Sequence, residues 1–283
     1  MSIVNNVVYN WSGNTCYGGE SFNNTGTSRK YNFFNNFYKP GPATMAASTK
    51  HIWLLDPMTS CDYCTALSEY PDHSPVPSGS SVVPGKFFMA GNTLEGKDDV
   101  TADNWKGTTA SASVISAIKS EEAFHYEDTP TSLTIHTAGG AFEAVLANAG
   151  ASFVRDAVDE RVVDEAQNGT FTYHGSATTD KDGNPLPDKK LSINGLIDTQ
   201  TDAGGWPEYK ASAAEIDHNR DSDGDGMPDW FEEQFGLNKS NAADALSKNL
   251  DIKGRYTNLE MYLHYLVREI VAAGNASGDY NSL

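Results

Sequence analysis

Five acidic residues fall within the twelve positions Asp221-Ser222-Asp223-Gly224-Asp225-Gly226-Met227-Pro228-Asp229-Trp230-Phe231-Glu232. Counted from Asp221, side-chain oxygens stand at positions 1, 3, 5, 9 and 12, Gly226 occupies position 6 where the chain must turn sharply, and the Met227 carbonyl stands at position 7. This is the spacing of a calcium loop. Calcium takes six to eight hard oxygen ligands in flexible geometry, and carboxylates clustered this closely repel one another without a cation. The bland alternative is an acidic solvated loop, but the full twelve-position spacing seldom arises by chance. The expectation is therefore one Ca2+ held by Asp221, Asp223, Asp225, the Met227 carbonyl, Asp229 and Glu232, with Glu232 offering both oxygens. Magnesium, which demands compact octahedral geometry, suits such a set poorly. No base or nucleophile stands beside the loop, so the ion is expected to be structural.

A second loop of this kind would fall at Asn249-Leu250-Asp251-Ile252-Lys253-Gly254-Arg255-Tyr256, which has lost the carboxylate series and carries Lys253 and Arg255 instead. No second ion is expected there. The chain holds no GxSxG, HExxH, Walker A or GxGxxG motif, and His51, His73, His125, His136, His174, His218 and His264 show no metal spacing. Cys61 and Cys64 are separated by two residues, as in a redox pair, half a zinc site or a loop disulfide; free thiols are the remaining reading, and Cys16 is left over.

The elements that must carry the loop can be read from pattern. Ile3-Val4-Asn5-Asn6-Val7-Val8-Tyr9, Phe33-Phe34-Asn35-Asn36-Phe37-Tyr38 and Met89-Ala90-Gly91-Asn92-Thr93-Leu94 share one design: apolar residues, a corner ending in Asn, then apolar residues again. The second Asn recurs at 6, 36 and 92, about one period and then two, with an insertion at about 45–84 rich in proline (Pro57, Pro71, Pro75, Pro77 and Pro84). Stacked parallel strands with a ladder of corner asparagines explain the repeat. Three unrelated strands of a sandwich are the alternative. After Trp105 the pattern becomes helical. Phe142, Val145, Leu146 and Ala149 share a face within 137–150, 156–167 forms a second short helix, and Phe171–Tyr173 is expected to pair with Leu191–Ile193. Thr257 with Glu260 makes a capping box for a last helix whose face is Leu259, Tyr262, Leu263, Leu266 and Ile270, and residues past about Gly274 read as frayed.

Composition sets the limits. The 283 residues are 39% hydrophobic and 20% charged, a globular balance, and the net charge of -18 lacks the basic footprint of a nucleic-acid binder. No apolar run is long enough to span a membrane. The opening stretch MSIVNNVVYNWSGN has no signal-peptide pattern.

Taken together, Asn5–Trp11, Tyr17–Glu20, Tyr38–Thr44, Val100–Trp105, Arg155–Asp159, Gly205–Tyr209 and the calcium loop resemble the pectate lyases of polysaccharide lyase family 1, C-terminal portion. The resemblance implies a mostly β fold, a right-handed parallel β-helix represented by its terminal coils, with a C-terminal helical, calcium-loop extension. It implies secretion to an extracellular or periplasmic space, a monomer when full length, and polygalacturonate or pectin as partner, cleaved by calcium-dependent β-elimination. A base removes the proton at C5 of the uronate while calcium neutralises developing charge. The family's arginine lies in an Arg-x-Pro segment, and none of Arg29, Arg155, Arg161, Arg220, Arg255 and Arg268 stands in one. The expectation is a chain from which the catalytic segment is missing; the alternative is a non-catalytic β-helix module that binds pectic polysaccharide or serves only structure. Lys39 is the candidate for binding substrate carboxylates, with Asn14 to Tyr17 near the same groove. The expected divisions are 1–110 for the coils, 111–212 for helices and strands packed on them, and 213–283 for the loop and last helix.

Overall fold

The computed structural model describes residues 1–13, 15–18, 20–23, 29–44, 56–57, 81–124, 133–179, 184–185, 195–276 and 278–281. The Cys61/Cys64 pair, most of the 45–84 insertion, Asn14 and Leu191–Ile193 lie outside them. The chain divides into two compact units: Met1–Ala149 with Asp159–Gly205 and Ser277–Leu283, and Gly150–Val158 with Trp206–Ala276.

The first unit carries β1 (Ser2–Val4), β2 (Val7–Tyr9), β3 (Tyr17–Gly18), β4 (Glu20–Asn23), β5 (Lys30–Phe34), β6 (Phe37–Lys39), β7 (Asp56–Pro57), β8 (Ser81–Pro84), β9 (Lys86–Ala90), β10 (Thr93–Leu94), β11 (Lys119–Ser120), β12 (Leu133–Ile135) and β13 (Asp279–Asn281). Two parallel sheets form the centre, in the orders β1-β5-β9-β11 and β10-β6-β2. Their registers carry the sequence repeat: Ile3 faces Phe33 and Val7 faces Phe37, while Phe33 faces Met89 and Phe37 faces Thr93. Each rung is therefore strand, corner, strand, laid on the next.

The corner explains the residue choice. Asn5, Asn35 and Gly91 all take positive φ, at 56°, 52° and 65°, a region that asparagine and glycine tolerate best. At Gly91 a Cβ would also run into Asn35 Oδ1, which would have to shift. The next residue in each rung builds the ladder. Asn6 donates N–H and Nδ2 to Asn36 Oδ1, both at 3.0 Å, Asn36 donates likewise to Asn92 Oδ1 at 3.0 and 2.8 Å, and Asn92 to Asn104 Oδ1 at 2.9 and 3.0 Å. Asn36 and Asn92 are fully buried, so every one of these bonds must be made inside the fold. Beneath them Phe33, Tyr38, Phe87, Met89, Leu94, Trp105 and Ile118 form one apolar core, with Phe33 stacked near Tyr38 and Tyr31 on Phe87.

Replacing Asn36 by alanine removes the acceptor of the Asn6 N–H and the Nδ2 donor that reaches the Ile3 carbonyl at 3.0 Å and Asn92 Oδ1 at 2.8 Å. At about 1–3 kcal/mol for each stranded polar group, Asn36→Ala is expected to lower stability by roughly 2–4 kcal/mol in urea unfolding. A loss below about 1 kcal/mol would mean that the ladder contributes little.

At the far end of the stack, helix α1 (Asp98–Ala102), a 3-10 turn over Asn104–Gly107 and helix α2 (Ala112–Ile118) return the chain to β11. Helix α3 (Ala138–Asn148) starts at the Thr137 cap and lays Phe142 against Phe37 at 4.5 Å. Helix α4 (Ala157–Asn168) follows. Two sequence expectations need correction. Phe171–Tyr173 is not a strand: Thr170 and Thr172 spend their N–H groups on Glu165, and the Tyr173 ring packs under Arg161. Nor is the tail wholly frayed, since β13 pairs antiparallel with β12.

In the second unit lie α5 (Ala213–His218), α6 (Asp229–Phe235), a 3-10 turn over Ala242–Leu246 and α7 (Asn258–Asn275). Its core is Met227, Phe231 and Ala245, packed by Trp230, Leu237, Leu250, Leu259, Tyr262 and Tyr265. The buried face of α7 is thus Leu259, Tyr262 and Tyr265, while Leu263, expected on that face, is exposed. No helix among the described residues is long and apolar enough to cross a membrane.

Candidate metal centre

Glycines set the loop's path. Gly224 and Gly226 sit at φ 76° and 96°, conformations costly for any side chain with a Cβ. Those turns aim three backbone N–H groups at one carboxylate. Asp221 accepts from Gly224 at 2.7 Å, Gly226 at 2.9 Å and Asp225 at 3.3 Å. Asp225 accepts from the Met227 N–H through Oδ1 at 2.7 Å, leaving Oδ2 to point elsewhere. The capping box of α7, with Thr257 and Glu260 bonding reciprocally, sets the start of that helix, whose Leu259 packs on the core that holds Met227.

What the backbone leaves over is a set of buried carboxylate oxygens. Both oxygens of Asp223 and Glu232, Oδ2 of Asp225 and Oδ1 of Asp244 are buried and have no hydrogen-bond partner. Asp221, Asp223 and Asp225 converge within 4.8 Å, and Asp225, Glu232 and Asp244 do so in turn. Glu232 is fully buried. Burial first, and then repulsion from Asp223, Asp225, Asp244 and Asp229, pushes its carboxyl up to about 7. Asp225 is also raised, by burial and by its acidic neighbours against the opposing Met227 N–H. Burial would raise Asp221 as well, but the N–H groups of Gly226, Gly224 and Asp225 outweigh it and hold that carboxyl low. Stranded anionic oxygens facing one another are costly unless a cation joins them. The set is all oxygen, which fits a hard cation such as calcium and not zinc.

Of the residues that the spacing singles out, Asp221, Asp223, Asp225 and Glu232 come together. Asp229 is placed differently: its oxygens accept from the Ser222 N–H at 2.8 Å and hydroxyl at 2.7 Å, and the Ser222 hydroxyl is the main cause of its lowered pKa. Met227 buries its side chain in the core beneath the loop. Asp244 was missed, because it lies beyond the twelve-residue pattern and nothing in its local spacing marks it. The second loop is organised around its lone acid. Asp251 accepts from the N–H groups of Lys253, Arg255 and Tyr256 at 3.0, 2.8 and 3.1 Å, with the Arg255 guanidinium at 3.7 Å.

Lys39 serves the first unit internally. Its ammonium donates to the Gln167 carbonyl at 2.7 Å, lies 3.8 Å from Glu95 and 5.2 Å from the Phe142 ring centre, and its side chain is only 11% exposed. Arg161, Arg220, Arg255 and Arg268 each pair with an acid within four residues.

No protein-family model matches the chain. Two curated relatives do. A protein named probable pectate lyase C from Emericella nidulans is 28% identical over 94% of this chain and 47% of its own length. One of the same name from Aspergillus terreus is 27% identical over 93% of this chain and 48% of its own length. The chain spans about half the length of the curated relatives it matches. Along nearly its whole length, it is distantly similar to proteins named as pectate lyases.

Proposed function

We propose that this chain is the calcium-braced terminal portion of a secreted pectate lyase: the last coils of a right-handed parallel β-helix, followed by a loop-and-helix extension. The observation that carries this reading is the pair of register offsets that lay Ile3 on Phe33 and Phe33 on Met89, in a chain similar over nearly all its length to pectate lyases. A stack of such rungs gives a long, flat flank, the surface along which an extended polyuronate can lie. The substrate class is polygalacturonate or pectin, and the reaction is β-elimination. A base takes the C5 proton and the glycosidic oxygen leaves from C4.

On this reading the base is an arginine of an Arg-x-Pro segment, and these 283 residues contain no such segment. Arg161, Arg220, Arg255 and Arg268 each pair with an acid within four residues, and Lys39 is packed into the fold. This favours a non-catalytic role for the chain taken by itself, within a catalytic whole. The loop would hold one calcium through Asp221, Asp223, Asp225, the Met227 carbonyl and Glu232. That ion supplies cross-linking charge to the second unit and takes no part in bond cleavage. The test is ultraviolet absorbance of unsaturated uronates from polygalacturonate with calcium present. The purified chain is expected to form none, and steady turnover would place a base among these residues.

A further inference from the structure

We infer that Asp244, and not Asp229, supplies the further carboxylate of the calcium centre, so that the ion ties the 238–246 turn to the loop; the inference rests on the calcium reading above. Loop spacing assigns that place to Asp229, at position 9. Both oxygens of Asp229 are spent on Ser222. Asp244 is arranged the other way. Its Oδ2 accepts from the Asn238 N–H at 2.9 Å, which fixes the side chain. Its Oδ1 is buried and partnerless, and one of its carboxylate oxygens lies within 4.8 Å of carboxylate oxygens of Asp225 and Glu232. Glu232 is fully buried with both oxygens unpartnered, so two side chains from different elements aim unsatisfied anionic atoms at one point. A carboxylate with one oxygen anchored and the other stranded is the disposition of a metal ligand held by its surroundings.

The consequence reaches beyond the loop. The Asp244 carbonyl accepts from Asn258 Nδ2 at 2.8 Å, and Asn258 Oδ1 accepts from the Leu250 N–H at 3.2 Å. Asn258 is fully buried at the first turn of α7. An ion on Asp244 therefore fixes the start of α7 and the second loop through one buried asparagine. That second loop, whose Asp251 is satisfied by its own backbone, then needs no ion.

The experiment is calorimetric titration of calcium into the wild-type chain, Asp244→Asn and Asp229→Asn, each melted also in chelator. The wild type is expected to bind one ion. Asp244→Asn weakens binding by about 100-fold, a step comparable to that between classes of loop that differ in ligand charge. Asp229→Asn stays within about threefold. In chelator, Asp244→Asn melts at or above the wild-type temperature, because one repelling charge is gone; were Asp244 only a brace for Asn238, its ion-free melt would fall instead. Wild-type affinity in Asp244→Asn, or equal loss in both variants, overturns the inference while calcium binding stands. A wild-type chain that takes up no calcium overturns the calcium reading and this inference together.

Discussion

Removing calcium is expected to lower the melting temperature of the second unit by roughly 15–30 °C, since a ligand at a thousand times its Kd adds about 4 kcal/mol and a unit of this size moves about 4–8 °C per kcal/mol. The cause is the set of stranded oxygens on Asp223, Asp225, Glu232 and Asp244. The effect has a pH signature. The Glu232 carboxyl rises from 4.5 to about 7 on folding without the ion. A raised folded-state pKa means that the folded chain holds its proton more tightly, so the ion-free protein is most stable below about pH 4.5 and loses stability as pH climbs towards 7. Calcium binding must displace that proton, so the gain from calcium grows over the same window. Melts with calcium and with chelator between pH 4.5 and 8 should therefore diverge as pH rises. Parallel curves would remove the ion from the carboxylate cluster. Glu232→Gln should abolish the divergence.

The second large effect lies at the first rung. Among the described residues, β1 and β2 each have one strand neighbour, and they are the end strands of the two parallel sheets on the same side of the stack. The ladder is polar as well: each Oδ1 accepts from the rung before it. Asn6, the exposed first member, offers an acceptor that no described residue uses. Open parallel edges invite pairing with other chains. The isolated chain is expected to run as concentration-dependent oligomers or aggregate in size-exclusion chromatography with light scattering. A clean monomer with a cooperative melt would show that the β1/β2 face is a natural cap.

The sequence made the stack readable because β pairing in parallel register preserves spacing: offsets of 30 and 56 residues in the text are the Ile3–Phe33 and Phe33–Met89 pairs in space. Asn104, the fourth rung, escaped because a helix leads into it in place of a strand corner. Helix α3 was legible from its apolar spacing and α7 from its capping box. Four carboxylates of the acidic cluster were legible from loop spacing, since glycine turns and acids alternate locally. The contrast between Asp229, bonded to Ser222, and Asp244, with one oxygen left over, was not legible, because it depends on where Ser222 and Asn238 place their N–H groups. The misread at Phe171–Tyr173 has a related root: a strand-like run was claimed by the Glu165 side chain in the last turn of α4.

The proposed function is tested most directly by comparing calcium-dependent release of unsaturated uronates from polygalacturonate by two proteins. One is this chain alone. The other is a fusion, the whole Emericella nidulans relative with its matching portion replaced by this chain. The account predicts no product from the chain alone and calcium-dependent product from the fusion. Turnover by the chain itself, or a folded monomeric fusion that forms no product, would contradict it.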